Sequence, residues 1–101
     1  MSPAVLDQPA AAELELAAVL HALSDPVRLQ IVATLAAEGE RTCGTFELAI
    51  SSATRSHHLK VLREAGVTHT RVDGTHRRVS LRRADLDARF PGLLDAVVGA
   101  R

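Results

Sequence analysis

Large aromatic side chains are nearly missing from this sequence: its 101 residues hold two phenylalanines and neither tryptophan nor tyrosine. A core without rings must be filled by Leu, Val, Ile and Ala, residues that suit helices, so a mostly helical single domain is expected. So thin a core also favours a second copy that covers apolar helix surface. Cys43 is the one cysteine, which excludes an internal disulfide and leaves a cysteine-built zinc site short of ligands. No apolar run approaches membrane-spanning length. The opening MSPAVLDQPAAAELEL has carboxylates and lacks the basic n-region of a secretory signal. A reducing cytoplasm is the expected compartment, with no membrane partner. Enzyme signatures are missing too. There is no His-Glu-x-x-His, no phosphate-binding glycine loop and no nucleophile beside a placed base, so no enzymatic activity is expected.

Net charge is also absent, at +0, but the charges are segregated. In residues 1–50, Arg28 and Arg41 stand against Asp7, Glu13, Glu15, Asp25, Glu38, Glu40 and Glu47, a net of −5. In residues 51–90, Arg55, Lys60, Arg63, Arg71, Arg77, Arg78, Arg82, Arg83 and Arg89 stand against Glu64, Asp73, Asp85 and Asp87, a net of +5. Local field decides where a polyanion docks, so the second half is the candidate phosphate-facing side.

Residues 1–10, with Pro3 and Pro9 among small residues, read as a flexible arm ahead of a single domain over 11–101. A first helix is expected over Ala11–Leu23, with Leu16, Leu20 and Leu23 on one stripe. Ser24-Asp25-Pro26 is a strong helix start for a second helix to about Ala37, closed by Gly39. Thr42, Gly44 and Thr45 interrupt any long helix over residues 41–50, and TFELAI is assigned a short third helix. Ser51 or Ser52 caps a fourth, amphipathic and basic helix with Leu59 and Leu62 inward and Gly66 at its end. VTHTRV and THRRVSL around Asp73-Gly74 read as a β-hairpin, with Arg71 opposite His76 if the turn is Asp73-Gly74. His69, Arg71, His76 and Arg78 then share a basic, wet face. ADLDARF and PGLLDAVV close the chain as one helix broken at Pro91 or two short ones. The expected fold is mostly α with a β-hairpin wing, a winged helix-turn-helix of order α-α-α-α-β-β-α.

The fourth helix opens Ser-Ser-Ala-Thr-Arg-Ser-His-His, a composition that can enter a DNA major groove N-terminus first. Short hydroxyls at Ser52, Thr54 and Ser56 reach phosphates or base edges, the helix N-terminus attracts phosphate, and His57 can donate to guanine acceptors. Arg55 and Lys60 lie on the same helix, and Arg71, Arg77 and Arg78 on the wing can follow the flanking backbone. Ser52, Thr54, Arg55, Ser56, His57, Lys60, Arg71, Arg77 and Arg78 are therefore the candidate DNA-binding residues.

ALSDPVRLQIVATLA, with SSATRSHHLKVLREAGV and RVDGTHRRVSL after it, resembles the ArsR/SmtB family of winged-helix transcriptional regulators over residues 20–82. The resemblance implies a homodimer built through the first and last helices, acting as a regulator, foremost a repressor, on an inverted-repeat operator. It also implies an effector, usually a metal, that releases DNA. The family's usual ligands are not in place: Cys43 stands alone, and the last helix has Asp85, Asp87 and Asp95 without histidine. No cofactor is assigned. Weak zinc or nickel binding at His21, Cys43, His69 or His76 is the remaining metal option. In the alternative reading, a separate sensor protein supplies the signal and the winged-helix dimer acts as an activator or co-regulator. Cys43 itself reads as a thiol sensor, a lone metal ligand or a buried small side chain, and His58 as a packed helix residue.

Overall fold

Asp25 and Pro26 set the first corner. In the computed structural model, which describes residues 8–99, the Asp25 carboxylate accepts from the Val27 and Arg28 amides at 2.8 and 3.1 Å. Pro26 takes the first helical position, where a missing amide proton costs nothing. Helix α1 (Leu16–Ala22) ends before this corner and α2 (Pro26–Glu38) leaves it at 99°. No single helix among the described residues is long and apolar enough to cross a membrane.

Beyond Gly39 come β1 (Arg41–Thr42), a 3-10 turn over Cys43–Thr45, α3 (Ser52–Ala65), β2 (Thr68–Asp73), β3 (His76–Leu81), α4 (Arg83–Arg89) and α5 (Leu93–Gly99). The strands form one antiparallel sheet of order β1-β3-β2. Leu14, Val19, Ile31, Val32, Leu35, Leu59, Leu62, Val67, Val79, Leu86 and Leu94 meet in one core, with Phe46 its only buried phenylalanine among the described residues. The architecture is that of a winged helix, mostly α with a β-hairpin wing.

Several details differ from the sequence-based expectation. The expected first helix is broken: Ala11–Glu13 make a 3-10 turn, Leu14 is extended, and α1 is only Leu16–Ala22. Leu16 and Leu20 lie outward, 48% and 47% exposed, and Val19, Ala22 and Leu23 face the core instead. Of the expected arm, residues 1–7 lie outside the described residues. Gln8–Ala10 are not loose: Gln8 bonds to Thr70, the Pro9 carbonyl to Arg82, and the Ala10 amide to the Glu13 carboxylate.

The third helix of the expected α-α-α-α-β-β-α order does not form over TFELAI. A six-residue helix repays little of its nucleation cost, and here local bonds compete with it. The Thr45 hydroxyl donates to the Thr42 carbonyl at 2.7 Å and Arg41 Nη2 donates to the Thr45 carbonyl at 2.6 Å. Phe46 leaves the 3-10 turn in extended conformation and is buried. Just before it, Arg41 and Thr42 add a third strand to the hairpin.

The hairpin turns one residue later than Asp73-Gly74. Asp73 pairs with His76, so Gly74-Thr75 form the turn. Gly74 has φ +61°, and no residue other than glycine has positive φ among those described. An Asp73-Gly74 turn of type I′ would need a left-handed aspartate, whereas glycine alone in the first turn position fits type II′. Arg71 therefore stands opposite Arg78 and not His76. The displacement amounts to two residues of register, which preserves side-chain faces. His69, Arg71, His76 and Arg78 do share one face.

Helix α3 ends in a Schellman motif: the Gly66 amide donates to the Arg63 carbonyl and the Val67 amide to the Leu62 carbonyl, both at 3.0 Å. Gly66 has φ +85°, and a Cβ there collides with Leu14 Cδ2. Gly66→Ala is expected to destabilise the fold by about 1–3 kcal/mol in urea unfolding. An unchanged midpoint would contradict this packing.

Candidate nucleic-acid interface

The α3 surface divides by helical period. Ser51 is the cap, its hydroxyl accepting from the Thr54 amide at 3.1 Å and donating to Thr54 Oγ1 at 2.9 Å. Ser52 is the first helical residue. His58, Leu59 and Leu62 are buried, while Ser52, Thr54, Ser56, His57 and Lys60 are exposed and Arg55 is half-buried. Ser52, Thr54, Ser56, His57 and Lys60 thus lie on the accessible side of the helix, while Arg55 falls on the inward stripe continued by Leu59 and Leu62. The neighbouring histidines have opposite fates, His57 outward and His58 inward.

His58 is held by a residue that sequence reasoning missed. Arg28, with 7% exposure, reaches three places. Its Nε donates to the Ala22 carbonyl at 2.6 Å, its Nη2 to the His21 carbonyl at 3.2 Å, and its Nη1 to His58 Nδ1 at 3.1 Å. A guanidinium has no acceptor, so Nδ1 of His58 is unprotonated in this contact. His58 Nδ1 lies 3.9 Å from Asp25 Oδ2. The end of α1, the start of α2 and the middle of α3 are thereby fastened at one point. The position of Arg28 in the first turn of a capped helix, just after another helix ends, was the available signal.

Partial burial pushes the Asp25 carboxyl up, but the hydrogen bonds from the Arg28 and Val27 amides, with the charge of Arg28, outweigh it and hold the carboxyl below its ordinary value. A depressed carboxyl contributes stability that is full above its unfolded value, about pH 4, and disappears as pH falls through the lower folded value. Asp25→Asn keeps a capping oxygen and loses the charge. The stability gap between wild type and this variant, followed by urea unfolding from pH 7 to pH 2.5 at constant ionic strength, is expected to close on acidification. A gap that stays constant would contradict the electrostatic part of the cap.

The wing is less cationic than its sequence. Arg71 Nη2 lies 2.8 Å from Glu40 Oε1, and Arg78 Nε lies 2.8 Å from Asp73 Oδ2, with Arg71 Nη1 a further 3.9 Å from the same oxygen. The hydrogen bond and charge of Arg78 hold the Asp73 carboxyl below its ordinary value, and Asp73 raises Arg78 in turn. The hairpin face expected to be basic is thus an ion-paired ladder. Arg77, opposite Val72, points to the other face. It lines a cleft of about 100 Å³ with Cys43, Ser56, Leu59, Arg63 and Thr70, between the wing and α3. Among the described residues Arg55, Lys60 and Arg77 have no ion pair. Glu40, which no sequence motif marks, is the missed partner.

The metal options fare differently. His69 pairs with Ser80 and His76 with Asp73, four residues apart along the ladder, or roughly 13 Å at strand spacing. That distance exceeds the reach of one shared ion. Burial pushes the Cys43 thiol up in spite of the charges of Arg77 and Arg55, which argues against a reactive thiolate. His21 is exposed at the end of α1, and its carbonyl accepts from Arg28 and Ser24. Among the described residues no group of three or more His, Cys, Asp or Glu converges to hold a metal.

A capped helix with an exposed polar N-terminal half, leading at once into a three-stranded wing, defines a winged-helix DNA-binding protein. A helix-turn-helix domain family matches residues 23–71. The chain is 42% identical over 84 residues to the uncharacterized HTH-type transcriptional regulator YceK of Bacillus subtilis, covering 80% of this chain and 84% of that one. Its fold is similar to the crystal structure of the transcriptional repressor BigR from Xylella fastidiosa, with TM-score 0.65, 36% identity and 84% of each chain covered. It is also similar to the crystal structure of a possible transcriptional regulator for arsenical resistance, with TM-score 0.58, 30% identity, and 96% and 98% covered. The chain belongs to the ArsR/SmtB-like family of winged-helix transcriptional regulators, a non-enzymatic family, and is a DNA-binding regulator of transcription.

Removing the wing carboxylates should release Arg71 and Arg78 toward phosphate. The double variant Glu40→Gln, Asp73→Asn is expected to bind duplex DNA more tightly, with a log–log salt slope steeper by about 1–2. Fluorescence anisotropy from 50 to 300 mM salt measures this, and an unchanged slope would show that the ladder does not restrain these arginines.

Proposed function

We propose that the chain acts as a homodimeric repressor on an inverted-repeat operator, with its two α3 helices about one DNA turn apart. The observation that carries this reading is the exposed face of Ser52, Thr54, Ser56 and His57 on a helix whose opposite side is buried and fastened by Arg28. Ser52, Thr54, Arg55, Ser56 and His57 approach base edges or nearby phosphates. Lys60, Arg77, Arg71 and Arg78 contact the backbone, the last two after exchanging carboxylates for phosphates. Leu16 and Leu20 on α1 are apolar and wet in a single copy, which supports dimerisation through α1 together with α5, the last helix. The name of the structurally similar BigR supports repression over activation.

Arg77 and Arg78 separate in this geometry. Arg77→Ala is expected to weaken binding to all duplexes and to flatten the salt slope by about 1, Arg78→Ala by less, because Arg78 is already paired. His57→Ala is expected to change preference among operators and to leave the slope alone. Equal, null effects of Arg77→Ala and Arg78→Ala would contradict the wing assignment. Footprinting on DNA upstream of the chain's own gene, with and without zinc, nickel and oxidant, tests the regulatory reading. Protection only in the presence of a second protein would favour the separate-sensor alternative.

A further inference from the structure

Strand order β1-β3-β2 leaves one side of β2 without a neighbouring strand, a row of backbone groups that needs a partner. Gln8 supplies one. Its Nε2 donates to the Thr70 carbonyl at 3.1 Å and its Oε1 accepts from the Thr70 amide at 2.6 Å. The side-chain amide stands where a fourth strand would place a peptide group.

The residues after Gln8 extend the tie. The Pro9 carbonyl accepts from Arg82 Nη1 at 2.7 Å, and the Leu14 carbonyl from Arg89 Nε at 3.1 Å. The Pro9 and Leu14 side chains cover Gly66, so closely that glycine alone fits beneath them. One short segment therefore touches the wing edge, the junction of β3 with α4, and the end of α3. It then runs directly into α1, where Leu16 and Leu20 are exposed.

We propose that Gln8 is a positioning residue for DNA reading: it fixes the angle of the wing to α3 and does so from the segment that enters α1. The inference rests on the reading of α3 and the wing as the DNA surface. Gln8 contributes no charge, so its effect on binding is separable from that of the arginines. It sets how well two already formed surfaces match one duplex.

Gln8→Met keeps side-chain length and stem and loses both hydrogen bonds. The first readout is amide hydrogen exchange at Thr70, compared with Ile31 in α2 and Leu62 in α3. The second is affinity across a salt series for an operator selected by the wild-type chain from random duplexes. The expected result is loss of protection at Thr70 alone, affinity reduced about threefold to tenfold, and an unchanged salt slope. Wild-type affinity in the variant overturns the proposal. So does loss of protection that spreads to Ile31 and Leu62, which would make Gln8 a general stability residue blunting a strand edge. A wild-type chain that selects no duplex overturns the DNA reading itself, and the positioning role with it.

Discussion

Arg28 carries a charge into a place that water hardly reaches, and the arrangement around it is decided by how that charge is satisfied. Burying a guanidinium is costly unless its donors find acceptors. Here the acceptors are the last carbonyls of α1 and the imidazole of His58. Carbonyls at a helix end have no partner within their own helix and lie at the negative end of its dipole, where a cation is favoured. One side chain thus resolves two difficulties: its own desolvation and the open end of α1. Asp25 completes the arrangement by capping α2 through the Arg28 amide.

That junction has a consequence for the proposed reading surface. Leu59 and Leu62 turn the apolar side of α3 to the core, and the polar contact at His58 adds to them. A hydrogen bond from Arg28 to His58 is directional and helps specify which side of α3 is inward. With His58 turned in, Ser52, Thr54, Ser56 and His57 are turned out. The far end of α3 is fixed separately by the Schellman motif at Gly66 and the overlying Leu14. The wing begins immediately after Gly66, so its location is set by the same end. Its charges are balanced by Glu40 and Asp73, which leaves Arg77, Arg55 and Lys60 as the cations without an ion pair on this side among the described residues.

Much of this was legible in the residues. Asp25-Pro26 announced α2, Ser51 and Gly66 bracketed α3, and strand alternation gave the correct faces of the hairpin even with the register displaced by two. These features are local, and local chemistry settles them. The failures share a different origin. TFELAI looks helical until Thr45 and Arg41 bond to nearby backbone. Arg28 showed no sign of burial, because its acceptors are two carbonyls of α1 and an imidazole of α3. Glu40 and Gln8 looked like loop and tail residues, yet their partners lie 31 and 62 positions away in sequence. Pairing at that separation leaves no periodic trace in one sequence.

The Arg28–His58 contact as a determinant of α3 orientation can be tested by a double-mutant cycle with Arg28→Met, His58→Phe and the pair, measured both by urea unfolding and by DNA affinity. Non-additivity of about 1–3 kcal/mol in stability is expected, with each single variant weakening DNA binding and the double variant no worse than the poorer single. Additive losses in stability, or full DNA affinity in either single variant, would contradict that role for the contact.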